Sequence, residues 1–120
     1  MDQIFSLFNI QNLINAFKNS LDGLTHALKS ERAFRQEIIL LIAGSIAAIL
    51  LTNSSVERAI LIGSIAMVLI VELLNSAIEA TIDRIGPEKH PLSKNAKDLG
   101  SAAVLVSLLT AATMWLIILV

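Results

Sequence analysis

The sequence contains no cysteine, and few of its residues are charged. Without cysteine it can form neither a disulfide nor a thiolate site. Charged residues make up 16% of the chain and the net charge is −1, so most of the chain cannot be a solvated surface and nothing favours nucleic-acid binding. The sequence also lacks the G-x-x-x-x-G-K-[ST] motif and the glycine-rich loop of protein kinases, so any nucleotide must be held in another way.

Apolar residues are what the chain has in abundance. They form 55% of its 120 residues, with a mean hydropathy of +0.74, above the usual share of a soluble domain. A helix needs about 20 residues to cross a bilayer, and three apolar segments qualify or nearly qualify: 38–52, 59–78 and 99–120. A soluble three-helix bundle would keep a polar stripe on each helix, which the third segment lacks. We therefore predict one all-α membrane domain over residues 1–120, with transmembrane helices over about 33–52, 57–84 and 95–120.

Lysine and arginine predict the orientation of these helices. Basic residues cluster before the first span and between the second and third spans, whereas the link 52–58 has only Arg58. Since positive residues mark the cytoplasmic side, we expect a cytoplasmic N-terminus and a cytoplasmic loop at 84–98. The N-terminal sequence MDQIFSLF has no basic region before an apolar core, so no cleaved signal peptide is expected.

The segment before the first span has a different pattern. Apolar residues recur at spacings of four and three, with polar residues between them; they are Leu13, Phe17, Leu21, Leu24 and Leu28. This pattern predicts an amphipathic helix over about 4–28, which is too polar to span a membrane. We expect it to lie at the cytoplasmic interface or to pack on its own protein.

The loop between the second and third spans contains both prolines of the chain. Gly86 and Pro87 are predicted to end the second span. Ser93 is a suitable cap for the third. Lys97 and Asp98 would then lie on its first, cytosolic turns.

The second span ends in the sequence VELLNSAIEATIDR, residues 71–84, which carries three acids. Each helical residue advances by about 100°, so Glu72, Glu79 and Asp83 lie within about 20° of one another, with Asn75 beside them. Glu72 should be the deepest of the acids, while Glu79 and Asp83 should lie near water. Because a carboxylate that faces lipid is costly, the stripe should face protein or a wet cleft.

Three interpretations of this stripe are open. It is a polar seam that holds helices together, a proton or cation path through a small transporter, or a metal and acid–base site at the membrane surface. A conduction path needs polar residues across the full thickness, but here they crowd the cytoplasmic half, where Glu31 also lies. Acids beside Lys94 and Lys97 favour a site for Mg²⁺ and phosphate, since Mg²⁺ takes carboxylates together with substrate phosphates and lysine complements phosphate.

Three motifs carry a family resemblance: ERAFRQE (31–37), VELLNSAIEATIDRIG (71–86) and AKDLGSAAVL (96–105). In this order and spacing they resemble the prokaryotic integral-membrane diacylglycerol kinase family, over about residues 12–120. The resemblance implies an amphipathic surface helix plus three transmembrane helices, assembled as a homotrimer with active sites between subunits in the bacterial inner membrane. It implies transfer of the ATP γ-phosphate to diacylglycerol, with Mg²⁺ as cofactor. The family also contains undecaprenol kinases, and AFRQE favours the diacylglycerol branch.

The resemblance also implies residue roles. Glu72 matches the general base, Glu31 and Glu79 match the metal-binding carboxylates, and Asn75 and Asp83 match supporting positions. The positions that match the ATP site are Asn12, Asn19, Glu31, Glu79, Glu88, Lys89, His90, Lys97 and Asp98. The positions that match the lipid-binding side are Ala33, Phe34, Arg35, Gln36, Glu37, Glu72, Ser101 and Trp115. Close relatives carry an arginine and a tyrosine where this chain has Asn12 and Asn19, and Lys18 is a candidate replacement for the missing cation.

Some of these positions have simpler interpretations. His90 either contacts nucleotide or is merely exposed in its loop. Trp115 either faces the lipid substrate or belongs to an aromatic belt at the membrane interface. Gly63 with Ala66, or Gly100 with Ala103, are candidates for close helix contacts of the small-residue type.

Overall fold

The structure, a computed structural model, describes residues 1–120 apart from the side chain of Ser6. Within these residues every regular element is an α-helix, which confirms the all-α prediction. The helices in chain order are α1 (Asp2–Leu7), α2 (Ile10–Ser30), α3 (Arg32–Leu51), α4 (Ser55–Ile85) and α5 (Pro91–Leu119). The chain forms two compact units, Met1–Glu31 and Arg32–Val120.

The N-terminal unit contains two helices where the sequence predicted one over about 4–28. Phe8 and Asn9 interrupt the helix, and α2 begins after Asn9. The Asn9 side-chain oxygen accepts a hydrogen bond from the Gln11 backbone N–H at 2.9 Å. This is an N-cap, which satisfies one of the amide groups that a first helical turn leaves unpaired.

The second unit consists of three helices that are each long and apolar enough to cross a membrane. The predicted number of spans is therefore confirmed by length and composition. Helix α4 packs against both α3 and α5 and is the central helix of the unit. It buries an apolar ridge that includes Leu61, Ile65 and Val68. Most of α5 is exposed, with only Gly100 and Ala111 buried, so a broad apolar surface remains available to lipid or to another protein.

Arg58 holds the short connection between α3 and α4. Its guanidinium donates hydrogen bonds to the backbone carbonyls of Ile49 at 3.1 Å and Thr52 at 2.6 Å. The last carbonyls of a helix have no partner within it, and a cation there also complements the helix dipole. Arg58 therefore caps the C-terminus of α3, which gives a local reason for a basic residue at this end of the bundle.

Replacing Arg58 with alanine should lower the thermal stability of the protein. The substitution removes the hydrogen bonds to the Ile49 and Thr52 carbonyls, each of which is worth about 0.5–1.5 kcal/mol. The measurement is the unfolding midpoint of the detergent-solubilised protein, followed by circular dichroism. Arg84→Ala is the matched control, because Arg84 is exposed at the other end of α4. Equal midpoints for the two variants would contradict the capping role.

The connection between α4 and α5 also has defined ends. Helix α4 ends at Gly86, which has a positive φ of 158° that glycine tolerates, so the predicted end of this helix is confirmed. The prediction that Ser93 caps the next helix is wrong. The N-cap of α5 is His90, whose Nδ1 accepts a hydrogen bond from the Leu92 backbone N–H at 3.1 Å. Pro91 follows at the first helical position, where its fixed φ and missing N–H fit, so the helix begins before Ser93.

Candidate functional site

The acidic stripe of α4 runs from the interior of the bundle to its surface. Glu72 and Asn75 are buried, with 7% and 8% of their surfaces exposed. Glu79 is partly buried, and Asp83 is exposed. The deeper half of the stripe therefore lies inside the protein, whereas the other half is accessible to solvent.

Asn75 links the buried half of the stripe to the accessible half. Its Nδ2 donates a hydrogen bond to Oε1 of Glu79, one turn later, at 3.4 Å. Its Oδ1 is buried and accepts no hydrogen bond. Gly100 of α5 lies against this oxygen, since a Cβ placed on Gly100 would overlap it. The missing side chain at Gly100 thus provides the space that Asn75 occupies.

A second buried acid approaches Glu72 from α3. Glu37 is 8% exposed, its Oε2 has no hydrogen-bond partner, and it lies close enough to Glu72 for a direct electrostatic interaction. Burying carboxyl groups against each other does not stabilise a fold. In helices of this hydrophobicity, buried acids are a feature of functional sites.

A cavity of about 720 Å³ lies where α4 ends and α5 begins. Its wall is formed by the last turn of α4, the loop 86–90 and the first turns of α5. Five residues assigned to the ATP site by resemblance line this one cavity: Glu88, Lys89, His90, Lys97 and Asp98. Asp83, which ends the acidic stripe, and Lys94 line it as well.

Two ion pairs fix charged side chains in this cavity. Lys97 Nζ lies 2.7 Å from Asp83 Oδ1 and so joins α5 to the last turn of α4. Lys94 pairs with Asp98 one turn along α5. The side chains of Lys94, Asp98 and Asp83 are mostly exposed and that of Lys97 is 43% exposed, so these pairs contribute little to stability and their ammonium groups stay accessible. Lys97 also has a favourable electrostatic interaction with Glu79, so the acidic stripe and the cavity share this lysine.

The positions assigned to the lipid-binding side by resemblance do not lie together as the ATP positions do. In the first turns of α3, Phe34 and Glu37 are buried, whereas Arg35 and Gln36 are exposed and Ala33 is partly exposed. Ser101 is exposed on α5, next to Gly100. The remaining predicted positions, Asn12, Asn19 and Glu31, belong to the N-terminal unit.

Trp115 lies far along α5 from the acidic stripe. Its indole N–H donates to the Leu61 carbonyl and to the Ser64 hydroxyl, both at 3.2 Å, and its ring lies beside Gly44 of α3. Leu61 precedes Glu72 by eleven residues, or about 16 Å along the helix. Trp115 therefore joins three helices at a distance from Glu72.

Two residues have a larger part in these arrangements than the sequence pattern indicated. Lys94 was noted only as a neighbouring cation, although it lines the cavity with Lys97. Gly100 was noted only as a possible helix contact, although it faces the amide of Asn75. The spacing of Lys94, Lys97 and Asp98 at i, i+3 and i+4 is a sequence signal for a shared helix face.

The oxygen donors of this site suit a hard cation. Among the described side chains, no three His, Asp or Glu residues come together as a metal-binding group. Mg²⁺ needs no such group, since it is usually bound by one or two carboxylates and completed by water and phosphate. Glu79 and Asp83 are the accessible carboxylates of the stripe, and the Asn75 amide donates a hydrogen bond to Glu79.

Comparison with known proteins places this chain among close relatives. Residues 18–119 match the sequence model of the family described as prokaryotic diacylglycerol kinase. The diacylglycerol kinase of Pseudomonas aeruginosa is 49% identical over 110 residues, which cover 92% of this chain and 89% of that protein. That of Escherichia coli K12 is 47% identical over 107 residues, 89% of this chain and 88% of the relative. That of Haemophilus influenzae is 40% identical over 112 residues, 93% and 95% of the two chains. The resemblance read from the three motifs is confirmed, and the chain belongs to the prokaryotic diacylglycerol kinase family.

Proposed function

We propose that this protein transfers the γ-phosphate of ATP to the hydroxyl of diacylglycerol in the membrane, giving phosphatidic acid and ADP. One observation carries the proposal beyond family membership. A single polar face connects a buried acid, Glu72, through Glu79 and Asp83 to a cavity lined by three lysines. A reaction between a membrane-bound hydroxyl and a water-borne phosphate donor needs such an arrangement.

Glu72 acts as the general base in this proposal. A lipid hydroxyl does not leave the membrane, so the base must lie below the aqueous surface, and Glu72 is the buried acid of the stripe. Its carboxylate accepts the hydroxyl proton as the lipid oxygen attacks the γ-phosphorus, and ADP leaves on the opposite side. Phosphoryl transfer depends on positioning and on neutralising charge more than on covalent chemistry, so the remaining residues bind and orient.

Glu79 holds Mg²⁺ in this scheme, and Glu31 shares this role by resemblance. Glu79, and by resemblance Glu31, would be the carboxylates that hold the ion, which would reduce the negative charge of the transferred group. Asn75 fixes Glu79 through its hydrogen bond. Glu31 belongs to the N-terminal unit, and its contribution rests on the sequence resemblance.

The nucleotide occupies the cavity between α4 and α5. Its volume of about 720 Å³ is within the range usual for cofactor sites, about 300–1,000 Å³. The ammonium groups of Lys94 and Lys97 complement phosphate oxygens. The other positions assigned to ATP by resemblance are Asn12, Asn19, Glu88, Lys89, His90 and Asp98.

Lys97→Ala should raise the KM for ATP by about 10- to 100-fold, since a hydrogen bond to a charged group is worth about 1.5–3 kcal/mol. Lys94→Ala should have a smaller effect in the same direction, because its ammonium is more exposed. Arg84→Ala is the control, since Arg84 is a cation near the same loop that does not line the cavity. The measurement is initial rate against MgATP in mixed micelles. A KM for Lys97→Ala equal to that of Arg84→Ala would remove this lysine from the nucleotide site.

The proposed assembly is a homotrimer in the bacterial inner membrane, with active sites between subunits on the cytoplasmic side. The family resemblance supports the trimer, and the lysine and arginine distribution supports the orientation. The exposed apolar residues of α2, such as Leu13 and Phe17, support its placement at the membrane surface. The exposed apolar surface of α5 leaves room for lipid and for neighbouring subunits.

An ATP-consumption assay in mixed micelles tests the function. Dioleoylglycerol and undecaprenol are compared as acceptors, and the phosphorylated lipid is identified. We expect phosphatidic acid from dioleoylglycerol at the higher rate. Faster phosphorylation of undecaprenol would assign the chain to the other branch of the family. Proton or cation flux in proteoliposomes, with no phosphorylated lipid from either acceptor, would instead favour a transporter.

A further inference from the structure

The residues ahead of α2 carry an apolar face of their own. Ile4 and Phe5 lie in α1, and Phe8 follows that helix directly. They are 63%, 73% and 81% exposed, so the rest of the described chain leaves them largely uncovered. Spacings of three and four residues relate Ile4 and Phe5 to Met1 and to Phe8, which is the spacing of neighbours on one helix face. This face lies outside residues 18–119, the part of the chain that matches the family.

The length and connection of α2 decide how far α1 lies from the membrane. Helix α2 ends at Ser30, and α3, which is long and apolar enough to cross a membrane, begins at Arg32. Because a single residue separates the two helices, the C-terminus of α2 must lie close to the membrane surface. With 21 residues, α2 is about 30 Å long. An upright α2 would hold α1 in water, whereas an α2 that lies flat brings α1 to the same surface.

The surface chemistry of the two helices favours the flat arrangement. Leu13 and Phe17 of α2 are mostly exposed, as are the apolar residues of α1, and burying large apolar side chains is favourable. Among residues 1–30 two lysines balance two aspartates; they are Lys18, Lys29, Asp2 and Asp22. Attraction to anionic lipid therefore adds little, and the apolar area is the main contribution to membrane binding.

We propose that α1 inserts its apolar face, formed by Ile4, Phe5 and Phe8, among the lipids of the cytoplasmic leaflet and so anchors the N-terminal end of α2. The proposal extends the membrane placement of α2 given above to a segment outside the matched region, and it does not depend on the reaction. Asn9 separates the two helices by capping α2, so each helix turns its own apolar face toward the bilayer.

Single-cysteine labelling tests the insertion. The chain contains no cysteine, so one introduced cysteine carries a polarity-sensitive fluorophore without background. In phosphatidylcholine vesicles, Phe5→Cys is compared with Gln3→Cys on α1, and Leu13→Cys with Asn15→Cys on α2. The members of each pair lie about 160° apart around their helix. We expect spin-labelled lipid to quench the Phe5 and Leu13 labels severalfold more than their partners, and aqueous iodide to show the reverse order.

A charge placed on the apolar face gives a second measurement. Because a carboxylate among lipid chains is costly, Phe5→Asp should reduce the lipid quenching of a label on Phe8→Cys. Gln3→Asp is the matched control and should leave that quenching unchanged. Replacing part of the phosphatidylcholine with phosphatidylglycerol should also leave it unchanged, since the charges of this segment balance.

Three results would overturn the proposal. Iodide quenching as strong at Phe5 as at Gln3, with the Leu13 label still in lipid, would place α1 in water and leave the placement of α2 intact. A Phe5 label protected from both quenchers would assign this face to a second copy of the chain. Lipid quenching at Phe5 that requires phosphatidylglycerol would assign the attachment to charge. None of these measurements requires ATP or a phosphorylated lipid, so their outcome is separate from that of the proposed function.

Discussion

Glu72→Gln should reduce turnover by about 10²- to 10⁴-fold, the range that a positioned general base contributes. Glutamine keeps the shape of the side chain and most of its hydrogen bonding, but it cannot take the proton from the lipid hydroxyl. ATP affinity should stay nearly unchanged, because Glu72 is buried and does not line the cavity between α4 and α5. The oligomeric state should also be that of the parent protein.

The alternative is a buried carboxylate that only holds helices together. In that case assembly or thermal stability should fail together with activity. Turnover, ATP affinity and oligomeric state are therefore measured on one preparation. Glu57→Gln is the matched control, because Glu57 is an acid in the first turn of the same helix, at the opposite end from the site. A well-assembled Glu72→Gln protein with turnover close to that of Glu57→Gln would exclude Glu72 as the base, and Asp98 or solvent would become the candidate.

The helical spans could be predicted because their signal lies in consecutive residues. A run of apolar residues about 20 long is sufficient to identify a spanning helix. The ends of the helices were harder to predict, since they depend on individual side-chain hydrogen bonds. Asn9 divides the N-terminal segment by capping α2, and His90 starts α5 ahead of Ser93. Serine is a more usual capping residue than histidine, so composition favoured the wrong residue.

The candidate site was predictable only along single helices. Helical periodicity places Glu72, Glu79 and Asp83 on one face of α4 without any knowledge of the other helices. No sequence pattern states which residue of a neighbouring helix lies opposite a given position. The pairing of Lys97 with Asp83 and the approach of Gly100 to Asn75 depend on the register between α4 and α5, which packing determines. The assignments to ATP and lipid came from the family resemblance, and they stay predictions.

The register between α4 and α5 leads to a prediction for Gly100→Ala. The added Cβ would overlap Asn75 Oδ1, so the Asn75 side chain must move. Moving it breaks the hydrogen bond of Nδ2 to Glu79 at 3.4 Å. Residues that orient a metal ligand typically contribute about 10- to 100-fold in metal affinity or activity. We therefore expect the Mg²⁺ concentration for half-maximal activity to rise by a factor in this range.

The matched control for Gly100→Ala is Gly63→Ala, since a Cβ on Gly63 meets no atom within 4 Å. Alanine is the better helix former by about 1 kcal/mol, so neither substitution should weaken its own helix.

Activity is measured against Mg²⁺ at saturating ATP, with the oligomeric state checked on each preparation. Asn75→Ala should give a similar rise in the Mg²⁺ requirement, and the double variant Gly100→Ala with Asn75→Ala should be no worse than either single variant, because both remove the same hydrogen bond. If Gly100→Ala has the same Mg²⁺ requirement as Gly63→Ala, Asn75 does not act through Glu79. If the effects of Gly100→Ala and Asn75→Ala add in the double variant, Gly100 has a separate role in packing α5 against α4.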